Sequence, residues 1–383
     1  MTARSIAAVT LAAACLAGCA RNEKSKSAHD AVVASAPFGK LADGQTVNAY
    51  TLKNDSKMNV KILDLGGVVQ SLTVPDRDGN LADVVLGFEN PNDYMATGPY
   101  FGAIAGRYAN RIANGRFSID GKTFTLPVNN GPNSLHGGTA GFDKKMWTAR
   151  SVKASNVGES AVEFTLISPD GDQGYPGTLT TTVRYTLTRD NALRIDYTAT
   201  TDKTTVLNLT NHSYFNLTGD PARSTVERHV VTVNADAYTP VDATQIPTGE
   251  IKSVDGTPFD FRTPHAVGDR LAQTGGDPAG YDHNFVLNGG ESAQPRRVAT
   301  LTDPGTGRMM EVWTTEPGVQ VYSGNFLDGS LNGKGGVKYG RYSGICFETQ
   351  HYPDSPNQPK FPSTLLRPGE TFRSTTIYKF TRK

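Results

Sequence analysis

Two residues of this chain have the type and setting for proton transfer. His212 lies in the stretch Val206-Leu207-Asn208-Leu209-Thr210-Asn211-His212-Ser213-Tyr214-Phe215-Asn216-Leu217. Read as a strand, whose successive side chains point to opposite faces, it puts Leu207, Leu209, Phe215 and Leu217 on one side, interrupted only by Asn211 and Ser213. The other side carries Asn208, Thr210, His212, Tyr214 and Asn216. The first face reads as core. The second is a row of hydrogen-bonding groups around an imidazole, the side chain that holds or releases a proton near neutral pH. The pattern predicts an acid at the floor of a cleft; a histidine bonded to polar neighbours on a solvated sheet face has the same signature. Glu348 is the second residue, inside Gly344-Ile345-Cys346-Phe347-Glu348-Thr349-Gln350-His351-Tyr352-Pro353. A carboxyl in an apolar strand is pushed by burial toward general-base pKa values. A glutamate on the wet face of an edge strand is the alternative.

Four further polar residues fall where a ligand can be held. Arg111, in Gly106-Arg107-Tyr108-Ala109-Asn110-Arg111-Ile112, is a fixed cation with five N–H donors, suited to hydroxyl oxygens or developing negative charge. His136 follows Asn133-Ser134-Leu135 and precedes two glycines, which let backbone approach a ligand closely. Asp282, in Tyr281-Asp282-His283-Asn284-Phe285, can accept from two hydroxyls. Gln320 intrudes between Val319 and Val321. Each also has a structural reading: a loop-tying arginine, a backbone-bonded histidine, a capping aspartate. A metal site is the rival for His136, His212, His283 and Glu348, but their spacings match no compact ligand motif. No dinucleotide or complete phosphate-cradling motif is present.

The elements that must position these residues are strands. Segments 47–52, 60–74, 83–88, 162–167, 179–188, 192–201, 229–235, 297–302, 310–322, 345–349 and 371–380 alternate or run apolar with β-branched content. Asp120-Gly121 marks a tight hairpin, and Arg189-Asp190-Asn191 another turn. No apolar stripe of helical period exceeds about two turns. The expectation is an all-β chain, a large antiparallel β-sandwich. Loops 89–114 and 128–147, dense in Gly and Asn, have the length of binding loops.

With 383 residues, 40 Gly, 22 Pro and a net charge of +1, the chain gives no electrostatic reason to expect nucleic acid. Its front reads as an export signal over 1–18: Arg4, an apolar run over 6–16, then Leu16-Ala17-Gly18-Cys19. The run is too short to span a bilayer as a mature helix. Leu-Ala-Gly-Cys resembles the bacterial lipobox, which implies lipidation of Cys19; an ordinary signal peptide cut nearby is the alternative. Ala20, in place of Asp, points to the outer membrane. Segment 19–38, polar and Ala/Ser-rich, reads as a flexible tether, and 39–383 as one domain. Losing Cys15 and acylating Cys19 leaves Cys346 alone, so no internal disulfide is expected.

Taken in order, eight segments resemble the aldose 1-epimerase (galactose mutarotase) family. They are Gly-Arg-Tyr-Ala-Asn-Arg-Ile at 106–112, Asn-Ser-Leu-His-Gly-Gly at 133–138, Gly-Phe-Asp-Lys at 141–144, Ser-Pro-Asp-Gly at 168–171 and Gln-Gly-Tyr-Pro-Gly at 173–177. Leu-Thr-Asn-His-Ser-Tyr-Phe-Asn-Leu at 209–217, Tyr-Asp-His-Asn-Phe at 281–285 and Glu-Thr-Gln-His-Tyr-Pro-Asp-Ser-Pro-Asn at 348–357 complete the set. The resemblance implies a large β-sandwich, His212 as general acid and Glu348 as general base. It implies sugar binding by Arg111, with Asn110 beside it, and by His136, Asp282 and Gln320. The implied partner is a monosaccharide such as galactose or glucose, bound by a monomer or homodimer, with no cofactor required. The lipoprotein-like front departs from the many relatives that lack it. Two rivals remain at this level: a glycoside hydrolase using Asp282 and Glu348 as its carboxylate pair, and a surface lipoprotein that binds sugar without turnover.

Overall fold

The computed structural model describes residues 1–2, 33–96 and 98–383. Most of the signal segment, Cys19 and most of the 19–38 tether therefore lie outside the described residues. The tether reading stops short at its far end: Ala34–Lys40 is a strand, paired antiparallel with Thr46–Lys53. Small polar composition hid it because such pairing uses backbone groups that every residue carries.

Three antiparallel sheets carry the architecture. Five strands in chain order, Ala34–Lys40 to Leu81–Asp83, make the first. The second has nine strands, with Ala192–Thr201, Phe372–Arg382 and Arg308–Thr314 side by side at its middle. The third runs Tyr214–Phe215, Ile345–Gln350, Gly318–Tyr322, Asp282–Leu287, Ala235–Thr239, Lys252–Ser253. The third packs against the second. Tyr378 Oη donates to Phe347 O at 2.9 Å, the rings of Phe215 and Tyr378 lie 4.8 Å apart, and Thr349 meets Thr376. Ile345, Phe347, Val319, Val321 and Phe285 join Ile195, Tyr197, Val312 and Tyr378 in one buried cluster. Because side chains alternate, the opposite face of the third sheet is freed for polar groups. The Asp120-Gly121 hairpin forms as read, with φ of 48° and 79° at the turn between Arg116–Ile119 and Lys122–Thr125.

The stretch 206–217 is not one strand. It breaks into Thr205–Val206, Thr210–Asn211 and Tyr214–Phe215, each paired with a different segment, and Asn208 bridges Tyr108. Asn211 causes one break, since its Oδ1 accepts from both the Ser213 backbone N–H and the Ser213 hydroxyl. The polar face is not solvated either: Asn208, Thr210, His212, Tyr214 and Asn216 are all buried.

Arg308 fastens the end of this stretch. Its buried guanidinium donates to the carbonyls of Leu217, Thr218, Val74 and Asn80 at 3.0–3.2 Å, joining the first and second sheets. Arg308→Met removes a donor from four carbonyls, of which those of Asn80 and Leu217 keep a second one, from the Asp76 backbone N–H and the Thr306 hydroxyl. It is expected to destabilise the fold by about 3 kcal/mol or more, read as a lowered urea midpoint; an unchanged midpoint contradicts the clamp.

Candidate active site

Four neighbouring strands of the third sheet lay out a mat of polar side chains. Register puts Tyr214 opposite Cys346, Cys346 opposite Tyr322, and Tyr322 opposite Asp282. The next row on the same face is Glu348, Gln320 and Asn284. Paired residues of an antiparallel ladder share a face, so one surface presents an imidazole's neighbours, two carboxyls and two phenols. His212 lies on this mat, its Nε2 3.6 Å from Glu348 Oε1 and its Nδ1 3.6 Å from Cys346 Sγ. Its ring stacks on Tyr214 at 5.0 Å.

The opposing wall comes from the two loops singled out by length. Arg111-Ile112 pairs with Ser134-Leu135, which sets Arg111 beside His136. Asn110 and His136 take positive φ, 63° and 50°. That geometry aims the Asn110 backbone N–H at His136 Nδ1, 3.1 Å away. Gly137 is required here: a Cβ would sit 2.0 Å from Gly106 O. Arg111 donates through Nε to Asn130 Oδ1 at 2.9 Å and reaches Asp282 Oδ2 at 3.7 Å.

Between mat and loops lies a cleft of about 620 Å³. Asn110, Arg111, His136, His212, Asp282 and Glu348 all line it. Gln320, in the same row as Glu348, donates to Asp282 Oδ1 at 2.7 Å, holding that carboxylate in place, and its own Oε1 is buried with no partner among the described residues. Asn110 Oδ1 is taken by the Arg111 backbone N–H, so its role in the wall is partly internal. His283 turns away, its ring against Phe259. Sequence reasoning missed the aromatic lining. Tyr322 and Cys346 stand two residues from Gln320 and Glu348, so strand periodicity is the signal that places them. Tyr100, on a loop at φ 61°, packs 4.6 Å from His136 and 5.9 Å from His212, and no periodicity marks it.

Burial dominates the electrostatics. It pulls His212 down to about 4, against the upward pull of a bond to its own backbone and of the Asp282 carboxylate. Burial, with His212 and Arg111 adding to it, holds His136 well below its ordinary value. Glu348 is pushed well above the carboxylate range by burial and then by Asp282, with Arg111 opposing. Its Oε2 is buried with no hydrogen-bond partner among the described residues, placed to accept from a ligand hydroxyl.

His136, His212 and Glu348 bring ligand-type atoms within 4.8 Å of one another, as a metal site requires. The tautomer argues otherwise. His136 Nδ1 accepts from a backbone N–H, so the neutral ring carries its proton on Nε2. A metal-ligating histidine does the reverse, donating through its second nitrogen. The cleft thus offers a ring N–H to an oxygen, beside a guanidinium, a held carboxylate and a facing imidazole–carboxyl pair.

Comparison with known proteins identifies the family. The Aldose 1-epimerase family model matches residues 48–379. A galactose mutarotase of Bos taurus is 49% identical over 349 residues, covering 91% of this chain and 98% of its own. An aldose 1-epimerase of Escherichia coli (strain K12) is 41% identical over 343 residues, 88% of this chain and 96% of its own. Among solved structures, a galactose 1-epimerase from Lactobacillus acidophilus superposes with a TM-score of 0.79 at 32% identity, covering 92% of this chain and 99% of that one. The chain belongs to the aldose 1-epimerase family.

Proposed function

We propose that the cleft interconverts the α and β anomers of free aldohexoses, such as galactose and glucose, by opening and reclosing the pyranose ring. The observation that carries this reading is the His212–Glu348 pair, buried and face to face at 3.6 Å. A hemiacetal has two oxygens on one carbon, so the groups that exchange protons with them must stand side by side. Glu348 takes the proton of the C1 hydroxyl while His212 gives one to the ring oxygen. Rotation about C1–C2 then presents the other carbonyl face. On closure Glu348 returns its proton to the carbonyl oxygen and His212 recovers its own.

The pair carries one proton throughout. A closed ring needs it on His212, giving imidazolium and carboxylate; the open aldehyde needs it on Glu348, leaving both groups neutral. Burial favours the neutral arrangement, which suits the open chain, and Arg111 lowers the cost of the charged one. His136 Nε2–H and Arg111 are placed to hold substrate oxygens, and Asp282, steadied by Gln320, accepts from hydroxyls. The chemistry is two proton transfers, and each positioned transfer is worth about 10²–10⁴-fold.

Glycoside hydrolysis by Asp282 and Glu348 fits less well. Asp282 accepts from Gln320 Nε2 and lies 3.7 Å from Arg111, contacts that commit its oxygens to accepting hydrogen bonds. At the front of the chain, Leu16-Ala17-Gly18-Cys19 supports export and lipidation at Cys19, and Ala20 supports an outer-membrane anchor. Among the described residues no helix is long and apolar enough to cross a membrane.

Glu348→Gln and His212→Asn are each expected to slow mutarotation about 10²–10⁴-fold while retaining sugar binding, as followed by polarimetry of freshly dissolved α-glucose. Unchanged rotation kinetics in either variant remove that residue from the mechanism. The pH profile of kcat/KM carries a second prediction. The pair gains a second proton only as pH falls through about 4, the value of His212, and loses its last as pH rises through the elevated Glu348 value. The acid limb is therefore expected near 4; a limb near 6.5, the ordinary histidine value, contradicts the assignment. Cys19→Ala is expected to abolish the incorporation of labelled palmitate seen with the unaltered chain in a bacterial host; labelling that persists places the lipid at another residue, and no labelling of the unaltered chain contradicts lipidation.

A further inference from the structure

Two phenol rings stand near-parallel to the imidazole of His212: Tyr214, with ring centroids 5.0 Å apart at 23°, and Tyr100, at 5.9 Å and 27°. Tyr214 belongs to the sheet. Tyr100 comes from a loop and takes a φ of 61°, a strained conformation for an aromatic residue. That loop is built onto His212 itself. The Gly102 backbone N–H donates to His212 O and the His212 N–H to Ala103 O, both at 2.9 Å, while the Ala103 N–H turns back to Tyr100 O. Asn211 Nδ2 donates to Gly102 O at 2.8 Å. Gly102 permits the turn at a φ of 69°, where a Cβ would collide with Val69 O. We propose that Tyr100 is a positioning residue: with Tyr214 it flanks the His212 ring and steadies positive charge on it by cation–π attraction as the proton passes between Glu348 and His212. The inference rests on His212 being the acid of the proposed reaction.

The electrostatics give the rings this task. Glu348 and Cys346 face His212 from one strand, Tyr322 and Asp282 from the next two, and His136 and Arg111 from the loops. Burial holds Cys346 and Tyr322 in their neutral, protonated forms. His136, held well below its ordinary value, is neutral too and adds no second cation. Burial also makes the neutral arrangement of the His212–Glu348 pair the resting one. Each approach to the transition state therefore places positive charge on a ring that has left water. A phenol face offers that charge negative potential, and the attraction is stronger where water is excluded. Unlike a further carboxylate, the face takes no proton from the pair.

The test grades the charge on the ring face while keeping its shape. Tyr214 is left alone, because it packs on Phe101 and Tyr322 in a buried cluster and its removal would disturb the fold. Tyr100, half-buried on its loop, is the position to vary. Tyr100→Leu is expected to lower kcat for glucose mutarotation roughly three- to tenfold, and Tyr100→Phe, which keeps the face and loses the hydroxyl, to restore most of it. Singly, triply and fully fluorinated phenylalanine at position 100 draw electron density off the face stepwise. Across that series kcat is expected to fall in order to the level of Tyr100→Leu, with KM unchanged. A kcat that ignores fluorination makes the ring a packing contact. Tyr100→Phe as slow as Tyr100→Leu assigns the effect to the hydroxyl, and a KM that follows fluorination in place of kcat sets the ring against the sugar. Each of these results overturns the proposal. His212→Asn separates the two levels. If it mutarotates at the wild-type rate, the acid assignment itself is wrong; if it is slow while the fluorinated series is flat, only the aromatic role fails.

Discussion

One proton shared between two buried groups is the constraint on which the site depends. His212 and Glu348 are each in the state that burial imposes, and each is displaced from its ordinary pKa in the direction that makes it neutral. Separately these shifts would disable a histidine acid and a carboxylate base. In the proposed reaction, facing each other, they share one proton between two places, with burial favouring the neutral arrangement and Arg111 lowering the cost of the charged one. The proposed ring opening uses that property, because the sugar passes through a closed form that pairs with separated charges and an open form that pairs with neutral groups.

Holding such a pair demands rigidity around it, and the surrounding structure supplies it from several directions. The sheet register fixes Glu348, Cys346, Tyr322 and Asp282 relative to one another without any loop. The segments flanking His212 are too short to be stable alone, so each is pinned separately: Asn208 to Ala109 and His351, Asn211 to Gly102, Asn216 to Ser343, Leu217 to Arg308. Three asparagines are among these pins, one of them the Asn211 that interrupts the apolar face. Each buried amide is satisfied by backbone carbonyls of another segment, which is how an irregular run can lie in the interior.

Much of this was legible in the residues. Strand content, the hairpin at Asp120-Gly121 and the pairing of 179–187 with 192–201 follow from alternation and turn chemistry alone. The eight ordered segments pointed to the residues that line the cleft. Illegible were features that depend on long-range partners. A period-two pattern over 206–217 does not reveal that its pieces pair with four separate parts of the chain. The strand Ala34–Lys40 has no apolar face to announce it, with most of its side chains exposed. A glutamine between valines marks Gln320 as unusual; that its Nε2 also steadies Asp282 shows only in the neighbouring strand. Tyr100 is placed by loop geometry that leaves no trace in local composition.

The most direct measurement is saturation transfer by NMR between the anomeric protons of glucose or galactose at equilibrium. With catalytic amounts of the protein, saturating the α signal is expected to deplete the β signal of the free sugar. The methyl glycoside, which has no C1 hydroxyl for Glu348 to deprotonate, is expected to show no transfer and to release no methanol. Absent transfer for every free aldohexose, or methanol released from the glycoside, would contradict the shared-proton account.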